Sequence, residues 1–276
     1  MRYNSMNDNL GIIALVGAGK MGTAILSGWL EGGIPPSSMM VIDPKPSIEA
    51  TAKIREYNIA YKNIPPQNIK AEIVLIAVKP HDIDTVIPII KSLIEETTIV
   101  ISIAAGKTLA YFRKNLGDIA IIRAMPNIAA TVKCSVTAVF ANKKINSNAH
   151  QKVNKLLSIL GTVEWLLKEE DMDIVTALSG SGPAYLFYLI ECMANAACKL
   201  GLPQNLSVRL ARDTIIGSSE LIRQSTDEIS TLRENVTSPG GTTEKALSVL
   251  LGKDGMQALF DKALAAAQMR SKEIAN

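Results

Sequence analysis

The sequence predicts an α/β protein in two parts, a doubly wound and largely parallel sheet over residues 1–167 followed by an all-helical part over residues 168–276. Three observations predict it. Up to Leu167, short apolar runs alternate with amphipathic stretches, as in parallel strands joined by crossover helices. Beyond Leu167 the segments have a helical period and none reads convincingly as a strand. Between the first apolar run and the first helix stands Gly17-Ala18-Gly19-Lys20-Met21-Gly22, a G-x-G-x-x-G turn.

Residues 12–16 are uniformly apolar and read as a buried strand. Between that strand and a helix running to Glu31, each glycine has its own task. Gly17 makes the tight turn, Gly19 has no Cβ to obstruct a pyrophosphate, and Gly22 lets helix and strand pack closely. The helix opens with unpaired N–H groups that suit phosphate. The implied ligand is a dinucleotide, which makes the N-terminal part a Rossmann-type domain. Glycines also close ordinary βα turns, so the context carries the reading rather than the motif alone.

Residues 39–43 form the next strand, ending at Asp43, about twenty residues past the glycine turn, where an acidic side chain accepts the adenosine ribose hydroxyls of NAD. Lys45, between Pro44 and Pro46, is placed to meet the 2′-phosphate of NADP instead. The plainer alternative makes Asp43 a turn residue ahead of a helix at 47–57. A short strand at 59–61 precedes Ile64-Pro65-Pro66, which cannot be helical. The apolar run 73–78 ends in Val78-Lys79-Pro80. Ligands of doubly wound sheets lie at the carboxyl ends of strands, so these three residues border the cofactor. A helix at 82–93 continues despite Pro88, and strand 99–103 ends in Ala104-Ala105-Gly106, where a nicotinamide ribose can approach. Strands at 119–123, 136–140 and 163–167, with a helix at 146–160, complete this part.

The helical part reads as five segments, 169–178, 183–200, 204–224, 225–235 and 243–275. Ser225 with Glu228 makes a capping box, Gly201 follows one helix and Gly240-Gly241 precedes another. So short a segment cannot hide this much Ala and Leu surface alone, which points to a partner subunit; a closed monomeric bundle is the alternative.

Composition narrows the function. The net charge of +3 arises from interspersed Lys and Arg, and only 4% of residues are aromatic, so neither nucleic acid nor a membrane is expected as partner. Cys134, Cys192 and Cys198 form no C-x-x-C pair and read as small core residues in a reducing compartment. His81 and His150 lack ligand-spaced neighbours, so no metal site is expected. The polar residues 1–9 lack an apolar leader core, which places the chain in the cytoplasm. Residues 183–200 carry Glu191, Asn195 and Lys199 and read as an interface helix rather than a membrane span.

The second informative stretch is 235–244, from Asn235 to Glu244. A glycine-bearing turn opens a helix there, so the N–H groups of Gly241, Thr242 and Thr243 can converge on a carboxylate, and the Thr243 hydroxyl adds a hydrogen bond. Helix capping by Ser238 or Thr242 is the plainer reading. Ser179-Gly180-Ser181-Gly182-Pro183 is a similar turn that can wall the same cleft or merely connect.

At these residues the sequence resembles the pyrroline-5-carboxylate reductases. LRENVTSPGGTTEKAL at 232–247 looks like their signature, and VGAGKMGTAI, IAVKPH, SIAAG, IRAMPN and LSGSGPAY occur in the same order and spacing. The resemblance implies reduction of 1-pyrroline-5-carboxylate to L-proline with NADH or NADPH, the last step of proline biosynthesis. It also implies a Rossmann domain and a helical domain that interlocks into a dimer, with dimers assembling into a decamer. It puts Ala18, Lys20, Met21, Asp43, Lys45, Val78, Lys79 and Ala105 around the dinucleotide, with Asn63 and Asn235 as further contacts. It puts Ser238, Gly240, Gly241, Thr242 and Thr243 around substrate, Thr243 at the imine nitrogen, and Glu170 within reach of the site.

Two other readings compete. A 3-hydroxy acid dehydrogenase shares a Rossmann domain followed by helices and commonly uses a helix-borne lysine, for which Lys199 and Lys245 qualify by type. A dinucleotide-binding protein without turnover is the other.

Overall fold

The computed structural model describes residues 11–275, so the polar segment 1–9 lies outside the described residues. The chain packs as two compact units, residues 11–180 with 267–275, and residues 181–266.

The first unit holds eight strands, β1 Ile13–Val16, β2 Met39–Ile42, β3 Ala60–Lys62, β4 Ile73–Ile76, β5 Ile99–Ser102, β6 Ala120–Met125, β7 Ser135–Ala141 and β8 Gly161–Trp165. They form one sheet in the order β3-β2-β1-β4-β5-β6-β7-β8. Every neighbouring pair is parallel except β6 with β7. The first six strands have the doubly wound dinucleotide-binding order. The register aligns Val16, Ile42, Ile76, Ser102 and Arg123 in one row near the carboxyl ends of five strands.

Helices cover both faces, which is why β1, β2 and β4 are apolar at every position. These are α1 Lys20–Glu31, α2 Ile48–Glu56, α3 Ile83–Ile90, α4 Leu109–Leu116, α5 Ser147–Ser158 and α6 Asp171–Val175. Ile13, Leu15, Leu75 and Ile101 face a core with Ile25, Trp29, Val153 and Leu157 of α1 and α5. Ala14, Val74, Ile76 and Val100 face Ile83, Ile87 and Phe112 of α3 and α4. Trp29 is fully buried, and its Nε1–H donates to the Leu156 carbonyl at 3.2 Å, so the largest core side chain keeps a polar partner.

The chain continues through α7 Gly182–Lys199, α8 Gln204–Gln224, α9 Ile229–Asn235, α10 Thr242–Leu250 and α11 Met256–Ala275. Within the second unit α7 and α8 pack on one another, and Tyr185 meets Phe260 edge to face at 6.2 Å between ring centres. Phe187, Tyr188, Ile216, Leu221 and Leu259 stay exposed in the single chain, the apolar excess that calls for a partner. Among the described residues no helix is long and apolar enough to cross a membrane.

Several local readings change. Residues 243–275 are two helices, because Gly252-Lys253-Asp254-Gly255 interrupts them; a Cβ at Gly255 would lie 2.2 Å from the Leu250 carbonyl oxygen. Ser225 is no capping-box residue. It ends α8, and its hydroxyl accepts the Asp227 N–H at 3.0 Å, while Glu228 is the N-cap of α9. Residues 176–180 form a π-helical turn continuing α6, so the first two residues of the turn read at 179–183, Ser179 and Gly180, are helical. Its Ser179 carbonyl accepts from Asn127 Nδ2 at 3.2 Å. Helix α4, unassigned in the sequence, is capped by the Thr108 hydroxyl, which accepts the Tyr111 N–H. Cys134 and Cys192 are exposed rather than core, since Cys134 follows a left-handed residue in a surface turn and Cys192 lies on an open face of α7.

Candidate functional site

The glycine turn is built by steric necessity. Gly17 has φ +95°, and a Cβ there would lie 2.9 Å from the Ala77 backbone of β4's extension. A Cβ at Gly22 would lie 2.1 Å from the Gly17 carbonyl oxygen, so the first turn of α1 closes directly on the loop. At Gly19 a Cβ would meet no atom of the described residues within 4 Å. The open position is therefore the middle glycine, at the N-cap of α1, where a pyrophosphate would find backbone N–H groups. These residues fit a dinucleotide. Lys20 is exposed and Met21 half-buried at the start of α1, while Ala18 is fully buried and holds the loop.

Asp43 links the turn to β2. Its Oδ2 accepts the Ala18 N–H at 2.6 Å and its Oδ1 accepts the Lys45 N–H at 2.7 Å. The Tyr61 hydroxyl lies 3.0 Å from the Asp43 carbonyl and 2.6 Å from Asn63 Oδ1. Ser47 caps α2 by accepting the Ala50 N–H, so Asp43 is not that helix's cap. Gly17, Asp43, Asn63 and Val78 line one cleft of about 420 Å³ with Pro44, Pro65 and Val86, at the carboxyl ends of β1, β2 and β4. Lys45 is exposed and does not line that cleft.

Toward the other half of the sheet, Lys79 is exposed and Pro80 half-buried after β4. Ala105 is half-buried between buried Ala104 and Gly106 after β5. His81 lies 3.6 Å from neighbouring Asp82, both on the surface, in a 3-10 turn over Pro80–Asp82. Lys107 Nζ lies 3.2 Å from Asp84 and 4.5 Å above the Tyr111 ring, and the Tyr111 hydroxyl donates to Asp84. That hydroxyl, with Lys107 beside it, holds the Asp84 carboxyl below the usual carboxylate range. Burial, with the Asp84 carboxylate next, pushes the Tyr111 phenol up to about 12.

Glu170 is exposed at the start of α6. The engaged carboxylate is its neighbour Glu169, whose Oε1 accepts from Arg123 at 2.8 Å and from the Leu109 N–H at 2.7 Å. Reading the sequence missed this pair, although an arginine inside the strand Ala120–Met125 was a usable signal.

In the second unit, Ser238, Pro239, Gly240 and Gly241 form a β-turn, with the Gly241 N–H on the Ser238 carbonyl at 3.0 Å and Gly240 at φ +69°. Gly241 is the N-cap of α10, not Ser238 or Thr242. The Gly240 N–H donates to Glu244 Oε2 at 2.8 Å. Of the three N–H groups expected to converge on an anion, the Gly241 N–H is thus spent within the turn, while those of Thr242 and Thr243 open the helix. Thr243 is half-buried, and Asn235 lines an apolar groove on this unit with Leu221, Ile222 and Val236. Among the described residues no group of three or more potential metal ligands gathers.

Comparison with known proteins adds to this geometry. Residues 12–106 match a family described as "NADP oxidoreductase coenzyme F420-dependent", and residues 169–274 one described as "Pyrroline-5-carboxylate reductase dimerisation". A pyrroline-5-carboxylate reductase of Pseudomonas aeruginosa is 35% identical over 266 residues, covering 95% of this chain and 96% of its own. One from a Synechocystis strain is 36% identical over 267 residues, covering 95% and 97%. Among solved structures, a pyrroline-5-carboxylate reductase from Coxiella burnetii matches with a TM-score of 0.89 at 33% identity, over 97% of this chain and all of its own. A Plasmodium falciparum pyrroline carboxylate reductase with NADP bound matches with a TM-score of 0.82 at 29% identity, over 98% and 99%.

Proposed function

This chain belongs to the pyrroline-5-carboxylate reductases, and from that premise we propose that it reduces 1-pyrroline-5-carboxylate to L-proline as an NAD(P)H-dependent oxidoreductase. The observation that carries the reading is the glycine cradle, open at Gly19 and closed on backbone at Gly17 and Gly22, in a chain whose residues 169–274 match the reductase dimerisation family. Residues 1–167 serve the dinucleotide, and residues 168–276 serve substrate binding and assembly as a homo-oligomer. Dimers gathered into a decamer, in the cytoplasm, complete the reading.

When bound, the dinucleotide supplies the hydride that the imine carbon of the ring accepts. Gly17, Ala18, Gly19, Lys20, Met21 and Gly22 receive the pyrophosphate at the start of α1, and Asp43, Lys45 and Asn63 border the adenosine half. Val78, Lys79, Pro80 and Ala105 border the nicotinamide half, with Asn235 as a further contact. The N–H groups of Thr242 and Thr243 hold the substrate carboxylate, flanked by Ser238, Gly240 and Gly241, with Glu170 in reach. The Thr243 hydroxyl, donor and acceptor alike, serves the ring nitrogen in either protonation state. A cyclic imine is basic enough to arrive close to protonated, so alignment is the protein's main task, which accords with a site lacking a histidine or a paired acid and base.

The test is oxidation of NADH and of NADPH by the purified protein with 1-pyrroline-5-carboxylate. Turnover is the expected result. Tight dinucleotide binding without turnover would leave the binding-protein reading, and turnover on a 3-hydroxy acid alone would favour the dehydrogenase.

A further inference from the structure

We propose that Glu169 is a positioning residue for hydride transfer, acting through the loop that joins β5 to α4. The argument starts in the sheet. Arg123 stands in the row Val16, Ile42, Ile76, Ser102, Arg123, in a strand that is otherwise apolar, and only 6% of it is exposed. A guanidinium in that place needs a partner. It has one in Glu169 Oε1, at 2.8 Å.

The same oxygen accepts the Leu109 N–H at 2.7 Å. Leu109 is the first residue of α4, where the N–H groups have no acceptor within the helix and the helix dipole favours a negative charge. One half-buried carboxylate therefore ties β6, near the carboxyl ends of the strands, to the start of α4. Thr108, the N-cap, closes the same turn onto Tyr111.

The other end of the loop is fixed as well. The Ser102 hydroxyl accepts the Ala104 N–H at 3.3 Å. Gly106, at φ +83°, lies so close to Ile274 that a Cβ would sit 3.0 Å from that residue's backbone. Held at both ends, the loop leaves Ala105 half-buried between two buried neighbours, at the carboxyl end of the sheet. Under the function proposed above, on which this inference rests, Ala105 borders the nicotinamide half. Affinity comes mainly from the glycine cradle and the Asp43 cleft, so a shift of this loop is felt in alignment rather than in binding.

The experiment compares wild type, Glu169→Ala and Glu169→Gln in the full-length enzyme, measuring kcat, the Kd for NADH by fluorescence, and Tm. The expected result is a kcat lowered by about tenfold or more in Glu169→Ala with Kd held within about threefold. Glu169→Gln, which keeps an acceptor for the Leu109 N–H, should recover part of that loss. An unchanged kcat in Glu169→Ala overturns the proposal. So does an equal loss in both variants, or a loss of kcat matched by Kd and Tm, which marks a purely structural pair. Wild-type protein that turns over neither dinucleotide would remove the reductase reading itself, a result distinguishable from all of these.

Discussion

The carboxylate of Asp43 and the backbone of Ala18 meet at 2.6 Å, so the end of β2 is tied to the glycine turn by a charge-assisted hydrogen bond. With its second oxygen on the Lys45 N–H, the carboxylate keeps a fixed place in the cleft, while the Lys45 side chain stays outside it. A 2′-phosphate entering there would meet a negative charge. The expected outcome is a higher kcat/KM with NADH than with NADPH, and a ratio reduced by about tenfold in Asp43→Asn, the scale of one hydrogen bond to a charged group. A ratio untouched by that substitution would move discrimination to Lys45.

The glycine turn separates folding from binding. Gly19→Ala adds a methyl group where the described residues leave open space, at φ −72°, so stability should change by less than about 1 kcal/mol while NADH affinity falls. Gly22→Ala drives a methyl group into the Gly17 carbonyl and should lower Tm as well. Melting curves with and without NADH would check both variants. Equal NADH stabilisation of Gly19→Ala and wild type would count against the pyrophosphate cradle.

Thr243→Ala should lower kcat/KM by about 1–3 kcal/mol of transition-state stabilisation, the range for a hydrogen bond to a charged group. Thr243→Ser, which keeps the hydroxyl, should retain most of the activity. Steady-state kinetics in which the Ala and Ser variants behave alike would take Thr243 out of the mechanism.

The Asp84, Tyr111 and Lys107 cluster sets a pH dependence of stability. The Tyr111 pKa is raised to about 12 in the folded chain, against an ordinary value near 10. Its contribution is fully present below pH 10 and is lost as pH rises toward 12. The Asp84 pKa is lowered, so its contribution is present above the ordinary carboxylate range and lost as pH falls through the folded value. Urea denaturation across pH should show Tyr111→Phe losing less stability than wild type between pH 10 and 12. Parallel profiles would remove the cluster from the alkaline limb.

Backbone-dictated features were legible in the sequence. Gly17 and Gly22 are glycines because nothing larger fits, while Gly19 faces open space, so their spacing carries the first strand, the turn and the helix together. Asp43 was legible for a similar reason, since the end of β2 is fixed by the length of α1 and the run Met39–Ile42. Side-chain pairing across long separations was not. Glu169 reaches Arg123 over 46 residues, and nothing local distinguishes Glu169 from the exposed Glu170 that the sequence nominated. Helix α4 spans eight residues, with Leu109 and Phe112 as its buried positions, too few turns for a clear period. The break between α10 and α11 lies between Ala- and Leu-rich stretches that invite a single helix, although Gly252 and Gly255, the poorest helix formers after proline, were a usable signal for it.

The last nine described residues, 267–275, belong to the sheet-bearing unit rather than to the unit formed by residues 181–266. Ile274 covers Gly106, and the Ser271 hydroxyl donates to Asp173 at 2.6 Å. A fragment ending at Gly180 would thus lack part of its own interior, leaving the Gly106 backbone bare and Asp173 without its donor. The sheet-bearing unit is one body in space but two pieces in the chain, and it is complete only once residues 267–275 have been made.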